Sequence, residues 1–404
     1  LVGSDLDFTV APKKATVFLT FCQQVCIIIY MPFCFSPWTN LDISPQGDIA
    51  PCCKFVIDPQ EQFNIQRDSL ADYSSSAFLK EIKQSFLADQ WPTGCIRCRN
   101  EEAANIQSKR QLDHDRWSEN YAHYQLDSDQ WITASIAFGN TCNLKCITCG
   151  PYSSSRWNAE YKQIYAIDTA HVKFYRDDFV NSLVSQAPGI IHLDIPGGEP
   201  FLSGVAEQKK LLKHYVDSGQ AANISLHYTT NVTVFPDDEW WAIWTHFQEV
   251  DLQLSIDGLG VRYEYIRHPA NWADTVINTT RYIQREKEFS NVKLSVSHTV
   301  SAYNIYYLDE FFAWCYNIGL PRPWLGAVHS PAHMRPAAWS DRAIDFIAKH
   351  LGTSKYDDVR VWADAIINNR DADQFDEFCK RLHQHDQYRD TDFKTTFPEL
   401  ALYI

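Results

Sequence analysis

GNTCNLKCITCG, residues 139–150, places Cys142, Cys146 and Cys149 in one short loop with the spacing Cys-x3-Cys-x2-Cys. The loop directly follows WITASIAFG, residues 131–139, whose β-branched alternation predicts a strand. In parallel α/β folds ligands bind at the carboxyl ends of strands, so cysteines at that position mark a site. A structural zinc takes four ligands, usually as two separated pairs. Three thiolates in one loop suit an iron–sulfur cubane that keeps one iron open for a ligand. A zinc knuckle borrowing a distant histidine, or incidental buried cysteines, are the plainer readings of the loop taken alone.

Outward from the loop, strand and helix patterns alternate. The segments GIIHLDIPGG, NISLHYTTN, VDLQLSIDG, NVKLSVSHTV and PWLGAVH read as strands. Helical stretches separate them: after Ser153, then near 206–218, 238–247, 272–288 and 308–318. Such alternation indicates βαβ units and a parallel sheet. Six units suffice for a partial (β/α)6 barrel of TIM-like type, spanning residues 131–330, and fall short of an eight-fold closed one. Residues 331–404 are expected as a C-terminal helical cap.

Before this region lies a different module, residues 31–130. LDISPQGDIAPCCKF predicts two short strands around a Pro-Gln-Gly-Asp turn, and residues 68–90 carry helical periodicity. The polar run EEAANIQSKRQ is expected to lead into a linker. Residues 1–30 read as a doubtful leader; Met31 is one of two methionines and is expected as the initiator, upstream residues being an over-extended reading frame. The apolar stretch there is too short and interrupted for a membrane span. A net charge of −14, without a run of Lys or Arg, disfavours nucleic acid as a partner. Eight of the twelve cysteines in this chain of 404 residues cluster at 34, 52, 53, 95, 98, 142, 146 and 149, which points to metal or iron–sulfur ligation in a reducing, cytoplasmic setting.

CNLKCITC resembles the defining motif of the radical S-adenosylmethionine (SAM) superfamily. The resemblance implies a [4Fe–4S] cluster held by Cys142, Cys146 and Cys149, which cleaves SAM reductively to methionine and a 5′-deoxyadenosyl radical. Three further stretches fall in the family's order at strand ends. In DIPGGEPFL, Gly197, Gly198, Glu199 and Pro200 would bind the methionyl amino group; glycines allow close backbone approach and a carboxylate can receive an ammonium. In LQLSIDGLG, Ser255 and Asp257 end a strand, and Arg267 follows Ser255 by twelve residues. The resemblance gives Ser255 and Arg267 to SAM, whereas the plain reading of Arg267 is a surface helix arginine. Thr148, Thr230 and Asn231 complete the expected cofactor contacts.

CFSPWTNLDISPQGDIAPCC, followed by GCIRCRNEE, is similar to the auxiliary-cluster module called SPASM or twitch. By that resemblance Cys34, Cys52, Cys95 and Cys98 would hold a second [4Fe–4S] cluster, with Cys52 preferred over Cys53. Four ligands close a site, which favours electron transfer or structure; a zinc on the same four is the alternative. The module usually follows the core and here precedes it. The resemblance further implies an external one-electron donor of flavodoxin or ferredoxin type and a peptide or small-molecule substrate that is oxidatively modified. Epimerisation, with Cys315 or Cys53 returning a hydrogen atom, and a non-catalytic metal scaffold or redox sensor are the alternatives. Cys315 and Cys379 read as buried thiols, and HQHD near His383 as a solvated helix face.

Overall fold

The computed structural model describes residues 32–103, 107–122, 124, 126, 130–172 and 178–404. The expected leader, with Cys22 and Cys26, and Met31 lie outside the described residues. The strands are β1 (Asn40–Ile43), β2 (Asp48–Ala50), β3 (Phe63–Asn64), β4 (Thr133–Ile136), β5 (His192–Ile195), β6 (Ser225–Thr230), β7 (Glu249–Ser255), β8 (Val292–Val300) and β9 (Trp324–Ala327). They form one sheet in the order β3-β2-β1-β4-β5-β6-β7-β8-β9. From β4 to β9 every neighbouring pair is parallel. This is the βαβ alternation expected of residues 131–330, and each of the six strands falls within its expected segment except β7, which begins one residue before it at Glu249.

The sheet does not stop at residue 131. β1 pairs in parallel with β4, Asp42 opposite Ser135, and its hairpin partner β2 carries the sheet on to β3. The N-terminal module therefore extends the sheet of the core rather than packing beside it.

Strand alternation splits the sheet into two unlike faces. Leu41, Ala134, Leu193, Leu226, Val250 and Val292 lie in register on one face, all buried under helices. The other face carries Asp42, Ser135, Asp194, His227 and Asp251, also in register. Parallel strands packed on both faces are apolar throughout. These alternate because their inner face is not an oily core.

Helices Val205–Asp217, Trp272–Glu286 and Leu308–Ile318 match their expected ranges closely. Two expectations are corrected. Residues 68–90 form two helices, Leu70–Ser75 and Ala77–Leu87, because Ser76 is extended and its hydroxyl accepts the amide of Leu79 as a cap. Among the described residues the polar run does not lead straight into a linker: Ile96–Ala103 and Lys109–Ala122 are helices. The second is polar because the sheet face it covers is polar; its Trp117 ring stands 5.2 Å from that of His192. Helices Asp341–Gly352, Asp357–Asn368 and Phe375–Arg389 occupy the C-terminal region. No helix among the described residues is long and apolar enough to cross a membrane.

Leu252 sits fully buried in the middle of β7. Leu252→Ala is expected to lower unfolding stability by about 2–5 kcal/mol, measured by urea denaturation.

Candidate functional site

The loop after β4 is pinned from several sides. Lys145 N donates to His268 O and Ile147 N to Ile266 O, each at 2.7 Å. The Trp157 indole donates to Cys146 O at 3.1 Å. Below the loop, the buried carboxylate of Glu160 gathers three partners. Lys145 Nζ meets Oε2 at 2.8 Å, while His385 Nδ1 and Arg389 Nε both reach Oε1 at 2.8 Å. Arg389 also donates to Lys145 O at 2.9 Å. Burial alone would raise the Glu160 carboxyl, but the bond from His385 and the charge of Arg389 outweigh it and hold it at about 2. The expected solvated face at HQHD is thus half right: His383 is exposed, whereas His385 is buried against Glu160.

So held, Cys142, Cys146 and Cys149 line one cavity of about 630 Å3 at the carboxyl ends of the strands. All three are free thiols. Leu144 N points at Cys142 Sγ at 3.4 Å, Asn231 Nδ2 at the same sulfur at 3.6 Å, and Arg267 Nη1 at Cys146 Sγ at 4.0 Å. Burial pushes all three thiols up, Cys149 to about 11, and Arg267 partly opposes this at Cys146. Thiols with amide donors and a guanidinium aimed at their sulfurs suit a bound iron–sulfur group, whose potential such bonds tune.

Of the expected cofactor residues, Thr148, Gly197, Gly198, Asn231, Ser255 and Arg267 line this cavity. Gly198 has φ +56°, and a Cβ there would lie 2.4 Å from the Thr141 carbonyl oxygen. Only glycine lets this turn press against the cysteine loop. Glu199, Pro200, Thr230 and Asp257 are buried and do not line the cavity; they stand behind it. Glu199 accepts Asn231 N at 2.7 Å and Thr230 Oγ1 at 2.8 Å, which shapes the turn that aims Asn231. Its burial raises the carboxyl to about 7 despite those bonds. Asp257 meets Arg267 Nη2 at 2.8 Å and accepts Thr299 N at 2.8 Å. Arg267 is 7% exposed, so the surface reading of this arginine fails. Trp157, Tyr161, Tyr165, Thr229, Thr299, His333 and Met334 also line the cavity and were not foreseen. Their signal is weak, since two of these residues come from the segment beyond β9.

In the N-terminal module, Cys52 has Cys34 and Cys95 as electrostatic neighbours, and Cys95 has Cys34 and Cys98. These four are brought together. Arg110 braces them, donating to Phe33 O at 2.9 Å and to both oxygens of Glu102 at 2.9 and 2.7 Å. Cys53 is a further neighbour of Cys52, but its own neighbours are Lys109, Asp42, Asp194 and Asp113, and it lines a separate polar cavity. Burial raises Cys34 to about 11 and Cys95 higher. Cys315 is fully buried in the core and Cys379 is partly buried against it.

Residues 34–99 match the family model of SPASM, an iron–sulfur cluster-binding domain. No curated protein matches the chain. Among solved structures, native anSMEcpe with bound AdoMet is 18% identical over 48% of this chain and 52% of that one, with a TM-score of 0.38. The radical S-adenosylmethionine methyltransferase TsrM from Kitasatospora setae, with cobalamin and a [4Fe-4S] cluster bound, is 15% identical over 52% of this chain and 38% of that one, with a TM-score of 0.35. SuiB from Streptococcus suis, bound to S-adenosylmethionine, is 14% identical over 81% of this chain and 65% of that one, with a TM-score of 0.34. The chain spans about half the length of anSMEcpe.

Two outcomes follow from the loop's supports. Gly198→Ala forces the backbone off Thr141 and is expected to lower unfolding stability by about 1–3 kcal/mol, read by urea denaturation. Glu160→Gln leaves Arg389 and Lys145 without their shared anion, a loss of about 3–5 kcal/mol in urea denaturation at neutral pH. Because the folded value of Glu160 lies below its ordinary 4.5, its contribution is present above that value and is lost as pH falls toward 2. Wild type should therefore lose more stability than Glu160→Gln across that interval.

Proposed function

We propose that the chain is a radical SAM enzyme whose six parallel strands curve as a partial barrel around the cysteine cavity. One observation carries this reading. Three thiols of a single loop share a cavity with the glycine turn at 197–198, Asn231 and Ser255 at strand carboxyl ends, and with Arg267 at the end of the helix Gly260–Ile266. Cys142, Cys146 and Cys149 would hold a [4Fe–4S] cluster. When bound, such a group supplies one-electron reductive cleavage of SAM to methionine and a 5′-deoxyadenosyl radical, which takes a hydrogen atom from substrate.

The chain's own residues do the positioning. The Gly197–Gly198 backbone and Asn231 receive the amino-acid end of SAM, and Arg267, oriented by Asp257, pairs with its carboxylate. Trp157, Tyr161 and Tyr165 wall the cavity and exclude water. Cys34, Cys52, Cys95 and Cys98 would hold a second cluster; the SPASM match over 34–99 supports this. That cluster would accept an electron from a substrate radical, making the net reaction an oxidation of a peptide or small molecule. A flavodoxin- or ferredoxin-like donor would reduce the first cluster, in the cytoplasm. Cys53, facing a cavity, supports epimerisation as the second reading; buried Cys315 does not.

The test is electron paramagnetic resonance of the anaerobically reconstituted, reduced protein with and without SAM. The expected outcome is one [4Fe–4S] signal that shifts with SAM and is lost when Cys142, Cys146 and Cys149 are all replaced by Ala, while a second persists. No effect of SAM would overturn the enzyme reading in favour of a metal scaffold.

A further inference from the structure

The inner face of the sheet holds a second cavity. It has a volume of about 130 Å3, roughly four waters' share of liquid, and is roofed by the helix Lys109–Ala122. Its floor is built in register: Asp42 on β1, Ser135 on β4 and Asp194 on β5 are direct neighbours, with His227 next on β6. In a closed parallel barrel these inward positions are filled by Val, Ile and Leu. Carboxylates and imidazoles here cost burial energy and give nothing to a core, so they call for a ligand.

The charges around the cavity are unevenly satisfied. Lys109 is committed to Asp113, with Nζ 2.8 and 2.7 Å from the two oxygens. His227 pairs with Asp251 at 2.8 Å, and Arg116 lies over the Trp117 ring. Asp42 and Asp194 form no ion pair among the described residues. Asp42 is 8% exposed. Asp194 accepts Ser135 Oγ on one oxygen at 3.1 Å, while the other, Oδ1, is buried with no hydrogen-bond partner. Burial and the charge of Asp194 push Asp42 up to about 7, and the charge of Lys109 opposes this only in part.

The place of this cavity ties it to the cysteine site. Along β5, Asp194 lines the polar cavity and Pro196, the next residue on the same face, lines the cysteine cavity; along β6, His227 and Thr229 divide in the same way. Two residues of strand span about 7 Å, so the two cavities are consecutive along one face.

We propose that the polar cavity is a substrate subsite for a protonated nitrogen group, an ammonium or guanidinium, received between Asp42 and Asp194 while the rest of the substrate extends toward the cysteine cavity. As a statement about substrate it rests on the radical SAM reading; as a statement about cation binding it is measurable without it. A lysine- or arginine-bearing peptide, or a small polyamine-like molecule, has the required chemistry, whereas an acidic or wholly apolar side chain does not.

Cys53 lines the cavity and serves as its reporter. The cluster-loaded protein is treated with N-ethylmaleimide, and labelling of Cys53 is followed by peptide mass spectrometry. Acetyl-Gly-Lys-Gly-amide, its norleucine analogue and its glutamate analogue are compared at equal concentration. The lysine peptide is expected to slow labelling about fivefold or more relative to the other two, as a charge-assisted contact requires. Asp42→Asn with Asp194→Asn is expected to abolish that difference. Equal labelling with all three peptides, or best protection by the glutamate peptide, overturns the subsite. The SAM-dependent shift in electron paramagnetic resonance is recorded on the same sample. A retained shift without lysine protection sinks the subsite alone. Protection without a shift sinks the enzyme reading and leaves a cation-binding cavity.

Discussion

Glu160 sits at zero exposure with Lys145, His385 and Arg389 around it, and the cysteine loop depends on that contact. Lys145 lies between Cys142 and Cys146, so its ammonium fixes the loop from within, and Arg389 fixes the same residue through its carbonyl. A buried carboxylate with one partner would be a liability, because desolvation outweighs a single attraction. With three partners it becomes a joint between the loop, the helix Asn158–Tyr165 and the helix Phe375–Arg389. The C-terminal helices thereby do more than cover the core, since one of them supplies two of the three partners.

A second layer of supports surrounds this joint. Glu199 shapes the turn that carries Asn231, and Asp257 sets the direction of Arg267. In both cases the carboxylate stands behind the cavity and a neutral or cationic group faces into it. The cavity is therefore lined by amide, hydroxyl, thiol and guanidinium groups, a lining suited to a ligand that carries a carboxylate and to thiolates that carry negative charge.

Much of this was legible in the sequence, for reasons that are local. The six strands of the core announce themselves by β-branched alternation, and the cysteine loop and glycine turn follow directly from two of them. What escaped is long-range. Glu160 and Arg389 are separated by 229 residues, and nothing in the spacing of either predicts the other. The helix Lys109–Ala122 read as a linker because helices are recognised by an apolar stripe, and this one packs on a polar sheet. The motif gave Arg267 a place among the expected cofactor contacts but not its partners; its burial depends on Asp257 and Cys146, which only the fold brings near.

The pairing of β1 with β4 has a mechanical consequence. Two modules joined by a tether sample a range of separations, and any traffic of charge between them waits for the close encounters. Here the hairpin that leads to Cys52 is hydrogen-bonded into the same ladder that ends at Cys142. The gap between the two cysteine sets is thus a covalently and cooperatively fixed length, like the span between two rungs of one frame. That separation is set when the chain folds rather than by a later docking event.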